Sequence, residues 1–367
     1  MSEKMKSFSL YCPFCKDVLT FQLNFEELKK RMTGGLTGIQ LPEHGHPAHG
    51  LEVYIDTEGF IRGAYPIIDQ DTTKYDSYQN YYITDATSEI TPEQGNAVGV
   101  KVLPFTITID DGPQKNYNEE VYFPEIYDNL KLDKRVKSQP VPAEAFLKAF
   151  EDAPKNKPII VLVVSKRYSE GYNNAIQALK ILKVEQPNLA KNIHIIDTKT
   201  TGPFMKLMMN EILQMDEEGK STEEILAHLK WSSESHVSYI YVDSLNALRK
   251  SERVGRVTTF FGNLLGLKPV IIENDNNNGD LKAFKTVRSK EQSIQEIAKD
   301  IKNRFEGKEL VGVIFYGIVI DDAIRMQEVL NLNMGIELKN FTTDFIGTGV
   351  AIHLSYDLLG ISLYPKK

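Results

Sequence analysis

The sequence predicts an α/β protein with two lobes, a parallel Rossmann-like lobe followed by a second α/β lobe, and a small β domain in front of them. Strand-like apolar runs alternate with helical patterns after about residue 80, as in parallel sheets. The uninterrupted, mostly β-branched run Ile159 to Val164 is typical of a strand buried on both faces. The first 65 or so residues differ, since they hold both cysteines and three of the seven histidines. We expect three segments, residues 1–75, 76–232 and 233–367.

Bulk composition narrows the class of protein. A chain of 367 residues with 41% hydrophobic content can bury two or three cores. A formal net charge of -7 argues against a general nucleic-acid surface, which needs clustered Lys and Arg. No apolar run approaches the roughly 18 residues of a membrane span. The N-terminal residues lack the apolar core of a secretory signal, so a cytoplasmic protein is expected.

The N-terminal segment carries a possible zinc site. Cys12 and Cys15 form a C-x2-C knuckle, and His44, His46 and His49 follow in one cluster. Two thiolates and two imidazoles suit tetrahedral zinc, and the spacing favours His44 with His49. A redox cysteine pair and an incidental histidine cluster are the alternatives. The stretch Asp56 to Gly59 predicts a hairpin turn, and we expect a zinc-ribbon-like unit with a structural or partner-docking role.

The first lobe is predicted to begin after a polar linker, Asp69 to Asn80. The expected strands are Tyr81 to Thr84, Val98 to Thr108, Ile159 to Val164 and Ile193 to Ile196. The expected helices are Glu119 to Leu130, Pro142 to Phe150, Asn173 to Val184, Phe204 to Met215 and Thr222 to Lys230.

Ligands of such sheets bind beyond the carboxyl ends of the strands. The loops there, Ser165 to Gly171 and Asp197 to Gly202, are rich in hydroxyl groups but contain no nucleotide-binding glycine motif. The segment Lys137 to Pro140 precedes a helix, so we expect Ser138 to lie near a positive helix end.

The second lobe is dominated by the stretch Tyr241 to Val270, where Arg253 and Arg256 stand between helical apolar turns. This combination suits an anionic head group on an apolar body, although a solvated turn would produce the same pattern. The expected strands are Leu267 to Ile272, Leu281 to Val287, Val311 to Ile320 and a terminal strand Val350 to Ser355 that contains His353. Helices are expected at Glu291 to Phe305 and Asp321 to Leu330.

Several segments combine into a known pattern. Thr84 to Ile90 corresponds to a T-D-S-T-x-D-L motif, and Lys137 to Pro140 to a T-S-Q-P motif. Ser165 to Ala175 corresponds to S-S-x-L-S-G-T-Y-x-S-A. The other matches are Leu248 to Val254 with L-x-x-G-G-R-I, Gly262 to Pro269 with G-x-L-L-x-I-K-P, and His353 to Gly360 with H-x-G-P-G-A-x-G. From about Tyr81 to its end, the chain resembles the DegV family of fatty-acid-binding proteins.

The resemblance implies an acyl chain buried between two α/β lobes. It places the lipid head group near Ser138, Ser169, Arg253 and His353, where a separate fatty acid kinase would reach it. Lys137 replaces a family threonine and keeps a donor, so we count it among the ligand-binding residues. Glu170 would repel an anion if it pointed inward. The glycines lost at residues 355–357 indicate a changed kinase-facing rim, and the zinc-ribbon-like extension is a candidate docking unit for another partner.

The sequence thus predicts a lipid carrier without catalytic residues. The alternatives are a serine-dependent lipid hydrolase, with Ser169 as nucleophile and His353 as base, and a zinc-dependent interaction scaffold. A hydrolase of the common α/β type is disfavoured, since the chain lacks a G-x-S-x-G motif.

Overall fold

The computed structural model describes residues 5–12, 18–32, 36–44, 49–67, 75, 77–117, 121, 123–243, 267–275, 278–317, 319–333, 335–336, 340–354 and 356–367. Among these residues, no helix is both long and apolar enough to cross a lipid bilayer.

The N-terminal part forms two antiparallel sheets around a small core. Strands β1 and β2 pair with each other, and β3, β4 and β5 form a three-stranded sheet. The bounds are β1 Met5–Tyr11, β2 Val18–Asn24, α1 Phe25–Arg31, β3 Leu36–His44, β4 His49–Asp56 and β5 Ile61–Ile67. The predicted hairpin is confirmed: Asp56 Oδ1 accepts the backbone N–H groups of Glu58 and Phe60, both at 2.9 Å, and Gly59 has φ +81°.

The first lobe is built on a four-stranded parallel sheet of order β12-β11-β6-β7. A smaller antiparallel sheet, β10-β8-β9, lies beside it. The strands are β6 Tyr81–Asp85, β7 Val100–Leu103, β8 Thr106–Ile109, β9 Lys115–Asn116, β10 Val136–Gln139, β11 Ile159–Val163 and β12 Ile193–Asp197. All five residues of β11 are buried, as its apolar sequence predicts.

One predicted strand is in fact two. The stretch Val98 to Thr108 divides at Pro104, giving β7 in the parallel sheet and β8 in the antiparallel one. Proline lacks the N–H that a central strand needs, so the chain leaves one sheet there and enters the other.

The described part of the first lobe has the five predicted helices and two short ones that were not predicted, Pro92–Val98 and Pro187–Ala190. They are α2 Pro92–Val98, α3 Phe123–Lys131, α4 Ala143–Asp152, α5 Gly171–Glu185, α6 Pro187–Ala190, α7 Pro203–Glu217 and α8 Thr222–Ser235. The end of the predicted linker is not a linker, because Tyr78 and Asn80 are buried. Asp216 of α7 accepts hydrogen bonds from the Asn80 side chain (2.7 Å) and from the Tyr82 hydroxyl (2.7 Å), which fastens the start of β6 to α7.

The second lobe contains a six-stranded sheet of order β15-β14-β13-β18-β16-β17. All its pairs are antiparallel except β16 with β17. The elements are β13 Val237–Val242, β14 Lys268–Glu273, β15 Leu281–Val287, α9 Lys290–Arg304, β16 Leu310–Tyr316, α10 Ile320–Glu328, β17 Phe341–Phe345, α11 Thr348–Leu354 and β18 Leu358–Pro365. A π-helical turn, Val329–Asn333, continues α10.

The prediction of a terminal strand at Val350 to Ser355 is wrong. Residues Thr348–Leu354 form helix α11, and the last strand is β18, eight residues that are all buried. A short apolar run does not distinguish strand from helix by its pattern, so contacts with the rest of the chain decide. The same ambiguity made the predicted strand Val311 to Ile320 too long, since β16 ends at Tyr316 and α10 begins at Ile320.

Candidate functional site

A cavity lies between the two lobes, beyond the carboxyl ends of β6, β11 and β12. It holds about 700 Å³ between the protein atoms, counted to its open mouth. The part of this space that is open to the centre of a water molecule is about 70 Å³. Most of its wall is apolar, and both lobes contribute to it, for example Phe105 and Val164 from the first, Ile240 and Leu281 from the second.

Ser138 and His353 meet at one part of this cavity. The Ser138 hydroxyl lies 3.1 Å from His353 Nε2, within hydrogen-bond distance, although 215 residues separate them along the chain. Ser138 belongs to strand β10 and not to a helix terminus as expected, since α4 begins only at Ala143. His353 lies on helix α11, which turns its imidazole toward the first lobe.

Ser169 lines the same cavity just before helix α5. Its hydroxyl accepts the backbone N–H of Gly171 at 3.2 Å, and its own N–H is donated to the carbonyl of Ser165 at 3.2 Å. The 15-residue helix α5 therefore starts at the cavity wall. The positive end of its dipole favours an anion there.

Thr87 lines the cavity and is held by a buried carboxylate. Asp85 Oδ1 accepts the backbone N–H of Thr87 at 2.9 Å and also its hydroxyl, and Oδ2 accepts the N–H of Val164 at 3.1 Å. Burial raises the pKa of Asp85, and the hydrogen bonds from Thr87 and Val164 oppose that rise. Asp85 thus ties the loop after β6 to the end of β11.

Of the predicted binding residues, Lys137 faces away from the cavity and Arg253 lies outside the described residues; Glu170, which would repel an anion from within, also faces away. Lys137 is exposed, because it alternates with Ser138 along β10 and so points from the opposite face. Glu170 is exposed and accepts a hydrogen bond from Asn173 Nδ2 at 2.7 Å, so it does not repel a ligand from within. Arg253, like Arg256 and the apolar turns around them, lies outside the described residues.

Three of the described residues that line the cavity have ionisable side chains: Tyr168, Glu273 and His353. The described lining contains neither Lys nor Arg. Lys268 is engaged elsewhere, since its ammonium lies 3.0 Å from Asp243 Oδ2 and 2.7 Å from the Asp243 carbonyl. An anionic head group in the described part of the cavity would therefore meet hydroxyls, an imidazole and a helix terminus, together with the carboxyl group of Glu273.

Ser169 and His353, the nucleophile and base of the alternative hydrolase prediction, both line the cavity. The imidazole of His353 contacts Ser138, whereas the Ser169 hydroxyl accepts from Gly171. A general base must be within hydrogen-bond reach of the nucleophile it activates. The pairing of Ser169 with His353 as nucleophile and base therefore stays a prediction, since the described hydrogen bond of His353 is with Ser138.

The predicted zinc ligands are described only in part. His44 and His49 are paired positions in the register of strands β3 and β4, and Cys12 is buried in the core shared by both N-terminal sheets. Cys15 and His46 lie outside the described residues, as does the side chain of His49. Within the described part of the chain, no three Cys, His, Asp or Glu side chains form a group that could hold a metal.

The polar lining residues Thr87, Tyr168, Thr201 and Glu273 were not among the predicted binding residues. Three of them belong to motifs or loops that the sequence analysis singled out, so a signal for them existed. The sequence contains no such signal for Glu273, because this residue ends an apolar strand and only the order of the strands in the sheet brings it to the cavity.

Comparison with known proteins agrees with this architecture. The family model described as "Uncharacterised protein, DegV family" matches residues 82–366. Two DegV domain-containing proteins of Staphylococcus aureus strain N315 are 25% and 26% identical to this chain, covering 77% and 78% of it and 98% and 97% of their own lengths.

Solved structures share the same fold. A stearic-acid-binding protein of Eubacterium ventriosum aligns with TM-score 0.69 and 22% identity, over 78% of this chain and 98% of its own. A fatty-acid-binding DegV family protein of Thermus thermophilus aligns with TM-score 0.66 and 23% identity, over 78% and 99%. DegV of Bacillus subtilis, described as a fatty acid binding protein, gives TM-score 0.64 and 19% identity, over 79% and 100%.

The fold is a mixed α/β fold with a parallel sheet and an apolar cavity between its lobes. Since the family model matches more than half of the chain, this chain belongs to the DegV family.

Proposed function

We propose that this protein is a non-enzymatic carrier of one long-chain fatty acid, with the acyl chain in the cavity between the lobes. The observation that carries the proposal is the apolar cavity in which Ser138 and His353, from opposite lobes, meet at 3.1 Å. The fatty-acid-binding proteins that share the fold support it.

The head group lies against Ser138, Ser169 and His353, at the start of helix α5. A hydroxyl donates to a carboxylate, and a protonated imidazole adds charge, as does the helix terminus. Arg253 is proposed as the fourth head-group ligand. Each buried methylene contributes about 0.8 kcal/mol, so the acyl chain supplies most of the affinity.

Native mass spectrometry of the purified protein, followed by analysis of its organic extract, tests this function. We expect one fatty acid per chain. Ser138→Ala and His353→Ala should each weaken binding of added stearic acid about tenfold, since a hydrogen bond to a charged group contributes roughly 1.5–3 kcal/mol. Lys137→Ala is the matched control on the outer face of the same strand. A lipid-free protein that binds no added fatty acid would refute the proposal.

The protein presents this head group at the cavity mouth to a partner, of which a fatty acid kinase is the candidate. Its proposed compartment is the cytoplasm. Co-purification of the full chain with a tagged kinase, compared with and without bound fatty acid, tests the partnership. Binding that does not depend on the lipid would speak against presentation.

For the N-terminal unit, residues 1–75, we propose a structural zinc ion held by Cys12, Cys15, His44 and His49. The register supports it, since His44 and His49 are opposite each other on neighbouring strands and Cys12 is in the same core. The other two segments of the proposed division of the chain, the two lobes, are residues 76–232 and 233–367. Elemental analysis should find one zinc per chain, reduced in a Cys12→Ser variant. A metal-free protein with unchanged thermal stability would exclude the site.

A further inference from the structure

Helix α3 of the first lobe reaches into the cores of both lobes. Its residue Ile126 is fully buried and lies in the largest buried cluster, which includes the parallel sheet of the first lobe. The next residue, Tyr127, is 2% exposed and lies in a separate cluster, formed by the sheet and helices of the second lobe. Among the described residues, the other buried members of that cluster come from residue 237 or later. Tyr127 is thus a side chain of the first lobe that is buried in the second.

The ring of Tyr127 contacts the chain just after helix α11. It stands edge-on to the ring of Tyr356, with 5.4 Å between the two ring centroids. Tyr356 is three residues beyond His353, which lies in the last turn of α11. Edge-to-face aromatic pairs at this separation attract each other beyond the effect of the area that they bury. The contact therefore ties α3 to the end of α11 that carries His353.

Helix α3 also packs against strand β10, which carries Ser138, and β10 packs against α11. Strand β10 belongs to the first lobe and α11 to the second, so the distance of 3.1 Å between the Ser138 hydroxyl and His353 Nε2 depends on how the lobes pack. Hydrogen bonds to oxygen are effective only up to about 3.2 Å between the heavy atoms. A small shift between β10 and α11 would therefore keep both side chains from reaching one carboxylate.

We propose that Tyr127 is a positioning residue for the lipid head group. By holding α3 in the core of the second lobe, it keeps Ser138 and His353 close enough to bind the same carboxylate. Tyr127 is not one of the residues that line the cavity, so its effect passes through β10 and α11 and not through contact with the ligand. This inference rests on the proposed function, since it concerns the head group of the same ligand.

The test compares stearic acid with its methyl ester, each titrated into the delipidated full-length protein. The two ligands share their acyl chain, so the ratio of their Kd values reports the contacts of the carboxylate. Wild type should bind the acid about tenfold more tightly, because the ester lacks the charged acceptor of the hydrogen bonds. Tyr127→Ala should lose most of this preference while the Kd of the ester changes little. Tyr127→Phe, which keeps the ring, should retain it.

Ile301→Ala is the matched control. Ile301 lies on α9, is 1% exposed and belongs to the same cluster of the second lobe as Tyr127. Its truncation leaves a cavity in that core from a different helix, so it should lower thermal stability but keep the preference for the acid. Tyr356→Ala removes the other ring of the pair and should repeat the effect of Tyr127→Ala. Because Tyr356 is only half-buried, this variant decides the matter if Tyr127→Ala does not fold.

The outcomes separate the two proposals. If Tyr127→Ala or Tyr356→Ala keeps the full preference for the acid, the inference is overturned while fatty acid binding stands. The same holds if Ile301→Ala loses the preference to an equal degree, since the effect would then be one of core stability alone. A wild-type protein that binds acid and ester equally well also overturns the inference. If wild type binds neither ligand, the proposed function itself fails.

Discussion

At the scale of single residues, Glu89 is the carboxylate whose ionisation should matter most for stability. It is nine-tenths buried with φ +60°, and it receives the backbone N–H groups of Gly347 and Val350. Burial raises its pKa to about 8, and Asp344 adds to the rise, whereas Lys206 and the two N–H groups oppose it. Glu89 is therefore mostly protonated at neutral pH.

This pKa gives stability a definite pH dependence. An ordinary glutamate in the unfolded chain loses its proton near pH 4.5, whereas the folded state keeps it to about pH 8. Between about pH 4.5 and pH 8 the folded state binds one more proton than the unfolded state. The contribution of Glu89 to stability is therefore full below this range and falls as the pH rises through it. The free energy of unfolding should fall by up to about 1.4 kcal/mol per pH unit relative to Glu89→Gln.

Denaturant unfolding of wild type and Glu89→Gln at several values between pH 5 and pH 9 measures this slope. Glu93→Gln, a change of an exposed carboxylate in the neighbouring helix α2, is the control and should follow wild type. Parallel pH profiles for wild type and Glu89→Gln would contradict the prediction.

At the scale of elements, α11 is a seven-residue helix that depends on its surroundings. Isolated helices of this length are unstable in water, and its start is capped by the side chain of Glu89 from the other lobe. The helix carries Val350, His353 and Leu354 to the cavity. The position of His353 is therefore set by a contact far away in the sequence.

A substitution at Gly347 tests whether helix α11 depends on its cap by Glu89. A Cβ atom on residue 347 would overlap the Glu89 carboxylate, so Gly347→Ala must displace the cap. We expect a loss of about 1–3 kcal/mol of stability and weaker fatty acid binding, because the orphan N–H groups lose their acceptor. Thermal unfolding and a binding titration measure both. Gly219→Ala, where a Cβ would meet no atom within 4 Å but φ is +78°, is a control for backbone strain alone. Binding as tight as in wild type would show that α11 keeps its place without Glu89.

At the scale of the whole molecule, the two lobes share one apolar core. The largest buried cluster contains Phe146 and Val161 of the first lobe together with Ile240, Val313 and Leu358 of the second. The acyl chain that we propose between the lobes would add to this shared apolar contact. A ligand that binds only the folded state should therefore stabilise both lobes together.

Added fatty acid should raise the midpoint of thermal unfolding by several degrees in a single transition. At a free concentration one hundred times Kd the gain is about 2.7 kcal/mol. Differential scanning calorimetry of the delipidated protein measures it, with the methyl ester of the same acid as control. The ester should stabilise less, since it offers no carboxylate to Ser138 and His353. A shift confined to one of two separate transitions would contradict joint stabilisation.

Local sequence determined a large share of this protein. The buried run of β11, the turn at Asp56 and the order of strands and helices followed from periodicity and turn chemistry, and the motifs containing Ser138, Ser169 and His353 indicated the family. These features depend on residues close together in the chain, whose patterns can be read directly.

Only the tertiary structure decided which of these residues meet. His353 lies on a helix and not on a strand, Lys137 faces away while Ser138 faces the cavity, and Glu273 enters the cavity through the order of a six-stranded sheet. The physical reason is that a short apolar segment fits a helix or a strand almost equally well. Whether such a segment forms a helix or a strand, and which of its faces contacts a ligand, depend on packing and capping by residues far away in the chain.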